Sequence, residues 1–164
     1  MNRTEGTKYN GFRSAVEISK DIRQDIKEEI AAGRLPKDLK VSVKSRYYAG
    51  GQSIDIKWSS SVATHAIDES YGRHSIKAST LGADISIRLK QIADAYNYDN
   101  SDVQSDYFDT LFYCFPQWDY SVKLKGSNIE GLDPRVAETM LVLYHDGTPI
   151  EQALEIAENL EVAR

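Results

Sequence analysis

Residues 40–58 read KVSVKSRYYAGGQSIDIKW, two alternating runs on either side of a glycine pair. Val41, Val43, Ser45 and Tyr47 alternate with Ser42, Lys44, Arg46 and Tyr48. Beyond Ala49-Gly50-Gly51, Ile54, Ile56 and Trp58 alternate with Ser53, Asp55 and Lys57. Successive side chains of a strand point to opposite faces, so a period of two puts one series against a core and the other toward water or a partner. Glycine supplies the positive φ of a tight turn, and the stretch is predicted to be a β-hairpin. Trp58 continues the Ile54–Ile56 series and belongs with the core.

Upstream, Ala15, Ile18, Ile22, Ile26 and Ile30 are spaced by three and four, which predicts a helix from Ser14 to Ala32 with one buried stripe. Lys20, Arg23, Lys27 and Glu28 fill its solvated positions; Gly33 supplies a left-handed cap and Pro36 stops continuation. Downstream, residues 59–80 hold no clean period and read as a long loop with one short helical turn. Ile85, Leu89, Ile92, Ala93 and Tyr96 predict a second helix from Leu81 to Tyr96. Tyr107–Phe115 and Tyr120–Lys125 are rich in aromatic and β-branched residues and read as strands, joined by a turn at Pro116–Asp119. Asp133 and Pro134 open a helix that ends before Gly147. Thr148, Pro149 and Glu151 are expected to open another, with Thr148 as its cap. The predicted fold is therefore α+β: an antiparallel sheet of two hairpins packed against two helices, with a C-terminal αα-hairpin. Its parts are a flexible tail (1–13), an α+β domain (14–126) and the helical hairpin (127–164), with residues 126–132 as linker.

At 164 residues, 41% apolar and 27% charged, the chain suits one core-bearing domain with a small appendage. No apolar run reaches membrane-spanning length, and the polar start MNRTEGTKYN carries no secretory signal. Cys114, the only cysteine, excludes an intramolecular disulfide and a cysteine-based zinc cluster and fits a reducing cytosol. The net charge of −5 is unevenly spread: residues 1–60 carry +4, residues 61–126 carry −3 and residues 127–164 carry −6. That gradient fits two surfaces with different partners, or ordinary solvated faces.

Chemistry-bearing motifs are few. Asp99, Asp102, Asp106 and Asp109 are crowded together, but YDNSDVQSD lacks the central glycine and final glutamate of a calcium loop. Asp99, Asn100 and Ser101 are expected to cap a turn instead. His65, His74 and His145 have no metal-binding spacing, Cys114 sits among apolar residues, and Gly50-Gly51 precedes no helix that would cradle phosphate. The expectation is no enzyme, no metal and no cofactor. Binding is better supported, because ten tyrosines and two tryptophans suit a recognition surface. Lys44, Arg46, Tyr47, Tyr48 and Lys57 gather on the hairpin, where cations pair with phosphates and aromatics stack on bases. Glu151, Glu155 and Glu158 share one face of the last helix, an acidic stripe suited to a basic groove.

The strand SVKSRYYAGGQSIDIKW followed by YNYDNSDVQSDYFDTLFY resembles one of the large polyvalent protein-associated domains of phages and conjugative elements, over about residues 14–115. The S-V-x-S strand start, the G-G-x-S-I-x-I hairpin and the Y-x-Y-D-N-S-D and D-Y-F-D segments carry the likeness. It implies a non-enzymatic phage or mobile-element accessory protein in the host cytoplasm. Such a protein would bind a host protein, for example to counter a defence system, and brings no catalytic residues. The alternative is a nucleic-acid-binding module that uses the basic, aromatic hairpin. Neither reading involves a membrane, and both are compatible with a homodimer.

Overall fold

The computed structural model describes residues 3–70, 75–119 and 129–163. The chain is α+β. In order come β1 (Thr4–Glu5), α1 (Ala15–Ala31), β2 (Lys40–Tyr48), β3 (Gly51–Ser59), β4 (His65–Asp68) and β5 (Ser75–Ala78). They are followed by α2 (Thr80–Asp94), β6 (Tyr98–Asp99), β7 (Gln117–Trp118), β8 (Ile129–Glu130), α3 (Pro134–His145) and α4 (Ile150–Val162). The sheets run β1-β6, β2-β3-β7 and β5-β4-β8. Two compact units divide the chain. One draws on Met1–Lys37, Val41–Trp58 and Ser86–Gln117, the other on Asp38–Lys40, Ser59–Ile85 and Trp118–Arg164.

In the first unit, α1 begins with a capping box. The Glu17 N–H donates to the Ser14 hydroxyl while the Glu17 carboxylate accepts from the Ser14 N–H. Its inward stripe is Ala15, Ile18, Ile22 and Ile26, and Gly33 follows the helix at φ +74°. At the last turn the buried place goes to Glu29 rather than Ile30, for reasons given below. The hairpin forms as the alternation predicts, with Gly50 at φ +92° in its turn. Ile54, Ile56 and Trp58 are fully buried, while Lys44, Arg46 and Lys57 are exposed. Leu35, Val43, Leu89, Ile92, Ala93, Tyr96, Leu111, Phe112 and Cys114 are also buried in this unit.

Two expectations change here. The tail is not free at its start: Thr4 and Glu5 pair antiparallel with Asp99 and Tyr98, and the Gly6 and Lys8 N–H groups donate to Asn97 and Ala95. Tyr107–Phe115 is not a regular strand. It makes only isolated bridges, and the Asn97 side chain, not a neighbouring strand, bonds the Phe112 N–H and C=O.

In the second unit, part of the expected loop 59–80 is a second hairpin. β4 pairs antiparallel with β5, His65 with Ala78 through Asp68 with Ser75. The expected linker supplies β8, which pairs in parallel with β4 and buries Ile129 completely. Gln117, the last residue of the first unit, and Trp118, the next in the second, form β7 where a turn is expected. The core of this unit joins Ile129 to Val136, Ala137, Met140 and Leu141 of α3 and Ile150, Ala153 and Ala157 of α4. Asp133 caps α3 through the Arg135 N–H, as its sequence predicts. Thr148 does not cap α4; Pro149 holds that position without a side-chain bond. The Thr148 N–H instead closes α3 by donating to the Leu143 carbonyl, with Gly147 at φ +97°. The expected strand Tyr120–Lys125 lies outside the described residues. Among the described residues no helix is long and apolar enough to cross a membrane.

Candidate functional site

Strand alternation sorts the hairpin's predicted residues onto two faces. Lys44, Arg46 and Tyr48 of β2 lie on the polar face with Ser53, Asp55 and Lys57 of β3, and Tyr47 lies on the other. Arg46 Nε pairs with Asp55 Oδ2 at 2.5 Å. Among the described residues neither Lys44 nor Lys57 has an ion-pair partner, so the face keeps two uncompensated cations. Tyr48 is 47% exposed and folds across Gly51, where an added Cβ would lie 2.9 Å from its hydroxyl. Burial raises its phenol pKa above the ordinary value, with a further contribution from the nearby Tyr113.

Sequence reasoning missed Tyr113. It bridges Ser53 in parallel: the Ile54 N–H donates to the Tyr113 carbonyl at 2.9 Å and the Tyr113 N–H to the Gln52 carbonyl at 3.2 Å. Paired residues present their side chains to the same face, so the 40%-exposed Tyr113 joins Tyr48 and the cations. The available signal was parity, since Phe112 and Cys114 point inward and Tyr113 and Phe115 outward.

On the other side of the hairpin tip, Phe12, Tyr47, Tyr98, Thr110 and Leu111 surround a recess of about 260 Å³ with the Gly50-Gly51 turn and Gln52. Gln52 is buried and its amide is fully engaged. Oε1 accepts from the Ala15 N–H at 2.8 Å, and Nε2 donates to the Arg13 and Leu111 carbonyls at 3.0 and 3.1 Å. One side chain thus ties the start of α1, the hairpin and residue 111 together. Tyr98 donates to Asp109 at 2.6 Å, and that bond, with burial, pushes its phenol up to about 12. A larger recess of about 510 Å³ lies between Thr4–Thr7 and the end of α2, but it is bordered by the Lys90–Asp94 ion pair.

The other suspected groups are committed elsewhere. Burial pushes the Cys114 thiol up to about 12, so it stays protonated at neutral pH. His65 is in the second unit, stacked on Trp118 at 3.7 Å with Nδ1 3.0 Å from the Thr64 hydroxyl; burial pushes it down to about 4. Asp99 accepts from the Ser101 N–H, the turn-capping role expected of it, and Asp102 accepts from the Gln104 N–H in the same way. Among the described residues no group of three or more His, Cys, Asp or Glu is placed to hold a metal. His74 lies outside the described residues. Glu151, Glu155 and Glu158 are exposed on α4, in the second unit, whereas the β2–β3 turn belongs to the first.

No family model, curated protein or solved structure matches the chain.

Proposed function

We propose that the chain is a non-enzymatic binding protein that holds a single strand of nucleic acid along its β2–β3 hairpin. The observation that carries this reading is the shared face: Tyr48 and Tyr113 are exposed beside Lys44, Arg46 and Lys57. Aromatic rings stack on bases of any sequence, and cations between them neutralise the backbone. Overall acidity does not oppose this. The sequence of the first unit holds 13 Lys+Arg against 12 Asp+Glu, and the excess of acid falls in the second, with 7 against 13. Two uncompensated cations on a single strand correspond to a slope of log affinity against log salt of about −1.4. Fluorescence anisotropy with a labelled single-stranded oligonucleotide tests this. Lys44→Ala with Lys57→Ala should flatten the slope, Tyr48→Ala or Tyr113→Ala should weaken binding without changing it, and absence of binding at low salt would sink the reading.

A second reading rests on the exposed glutamates of α4 and on the resemblance of residues 14–115 to the polyvalent protein-associated modules. Here the chain is a phage or mobile-element accessory protein whose acidic stripe engages a basic groove of a host protein in the host cytoplasm, as a means of countering defence. Capture of a host protein from nuclease-treated lysate should then fail for Glu151→Lys, Glu155→Lys, Glu158→Lys. Undiminished capture would count against the stripe.

A further inference from the structure

The recess behind the hairpin tip has a chemistry of its own. Phe12 is 83% exposed and Tyr47 60% exposed, so two large rings stand in water at one mouth. Phe12 is nonetheless held in place. Gly11 turns the chain before it at φ +99°, the next carbonyl, that of Arg13, is held by Gln52, and Ser14 caps α1. The third ring, Tyr98, is fixed by Asp109 and by an edge-on contact with Tyr9 at 5.2 Å, and the Arg3 guanidinium lies 5.2 Å from its centroid. No charged side chain lines the recess, which disfavours a phosphate, carboxylate or ammonium group as its occupant. Its volume, about 260 Å³, falls below the usual range for drug-sized ligands and suits a single ring system.

We propose that this recess receives one base of the bound strand, stacked against Phe12 and Tyr47. The inference rests on the nucleic-acid reading of the hairpin and deepens it. Tyr47 and Tyr48 are consecutive and face opposite ways, so a strand whose phosphates follow Lys44 and Lys57 reaches the tip where a nucleotide can turn into the recess. The Gln52 amide is engaged by backbone on both its polar ends, so it does not read base edges and the recess accepts any of the four bases.

The test compares the full chain's affinity for a single-stranded DNA of about eight nucleotides with that for the same backbone made abasic. The recess alone should contribute a preference of about 5- to 150-fold for the base-bearing strand, beyond what stacking on Tyr48 and Tyr113 adds. Phe12→Ala and Tyr47→Ala, both at exposed positions, should each lower that preference and leave the salt slope unchanged. If both variants keep the wild-type preference while both strands bind, the recess proposal is overturned and the hairpin reading stands. If neither strand binds, both fall. A free nucleoside that competes as well as the strand would overturn the link between recess and cationic face.

Discussion

Glu29 occupies a position that helical spacing assigns to an apolar side chain, and two guanidiniums explain why. Arg34 and Arg88 approach its carboxylate at 2.8 and 2.6 Å and, with the Arg34 hydrogen bonds foremost, pull it down to about 2 from an ordinary 4.5. A carboxylate depressed on folding stabilises fully above its unfolded pKa and loses that contribution as pH falls through its folded pKa. The stabilisation from Glu29 should therefore fade between pH 4.5 and about 2. Glu29→Gln should cost about 1–2 kcal/mol at neutral pH, at the lower end for such bonds because both arginines are partly in water. Urea denaturation of both proteins should show the gap closing as the buffer is acidified. His65 also loses its contribution on acidification, but through burial of a neutral ring rather than pairing of a charged group. Its imidazole is pushed down from 6.5 to about 4 by burial, so below pH 6.5 the unfolded chain takes up a proton that the folded one refuses. Stability of the β4-containing unit should fall from pH 6.5 toward 4, and the His65 ring resonances in an NMR titration should not move until well below 6. Arg34 lies only five residues from Glu29, but Arg88 beside Glu29 and Trp118 stacked on His65 are distant along the chain, so the spacing of neither residue announces its full environment.

Elements with long periods were legible, and short ones were not. The nine-residue strands β2 and β3 and the seventeen-residue α1 repeat their pattern often enough to show it. β4 and β5 have four residues each and β8 two, too few for alternation to stand out from the surrounding serines and threonines. The aromatic segment 107–115 has strong strand preference, yet the Asn97 side chain takes both backbone groups of Phe112 and only isolated bridges form. Of the candidate site, the cationic hairpin was readable, whereas Tyr113, Phe12 and Tyr98 come from segments that only the fold brings to it. Gly6 illustrates a constraint of the same kind. A Cβ there would lie 2.1 Å from the Asp94 carbonyl oxygen and 2.3 Å from that of Ala95, both backbone atoms that cannot swing aside. Gly6→Ala should detach β1, with faster amide exchange at residues 6 and 8 and a loss of about 1–3 kcal/mol. Removal of the Gln52 amide should be at least as costly. Gln52→Ala strands one buried N–H and two carbonyls, and a fall of about 2–4 kcal/mol is expected in chemical denaturation.

Taken as a whole, the molecule separates its charges. The near-neutral unit carries the aromatic and cationic face, and the unit of α3 and α4 carries the acid, an asymmetry hidden in the single net value of −5. The substitutions Glu151→Lys, Glu155→Lys and Glu158→Lys shift that value by six, to +1, at exposed positions. Far-ultraviolet circular dichroism should be unchanged, while the solubility minimum should move from near pH 5.2 toward neutrality. The Gln52 amide has a further consequence for kinetics. By pinning three stretches of backbone it leaves the hollow beside Phe12 no slackened form that must first rearrange. Stopped-flow capture of an oligonucleotide should accordingly trace one exponential, its observed rate climbing in proportion to concentration without a plateau.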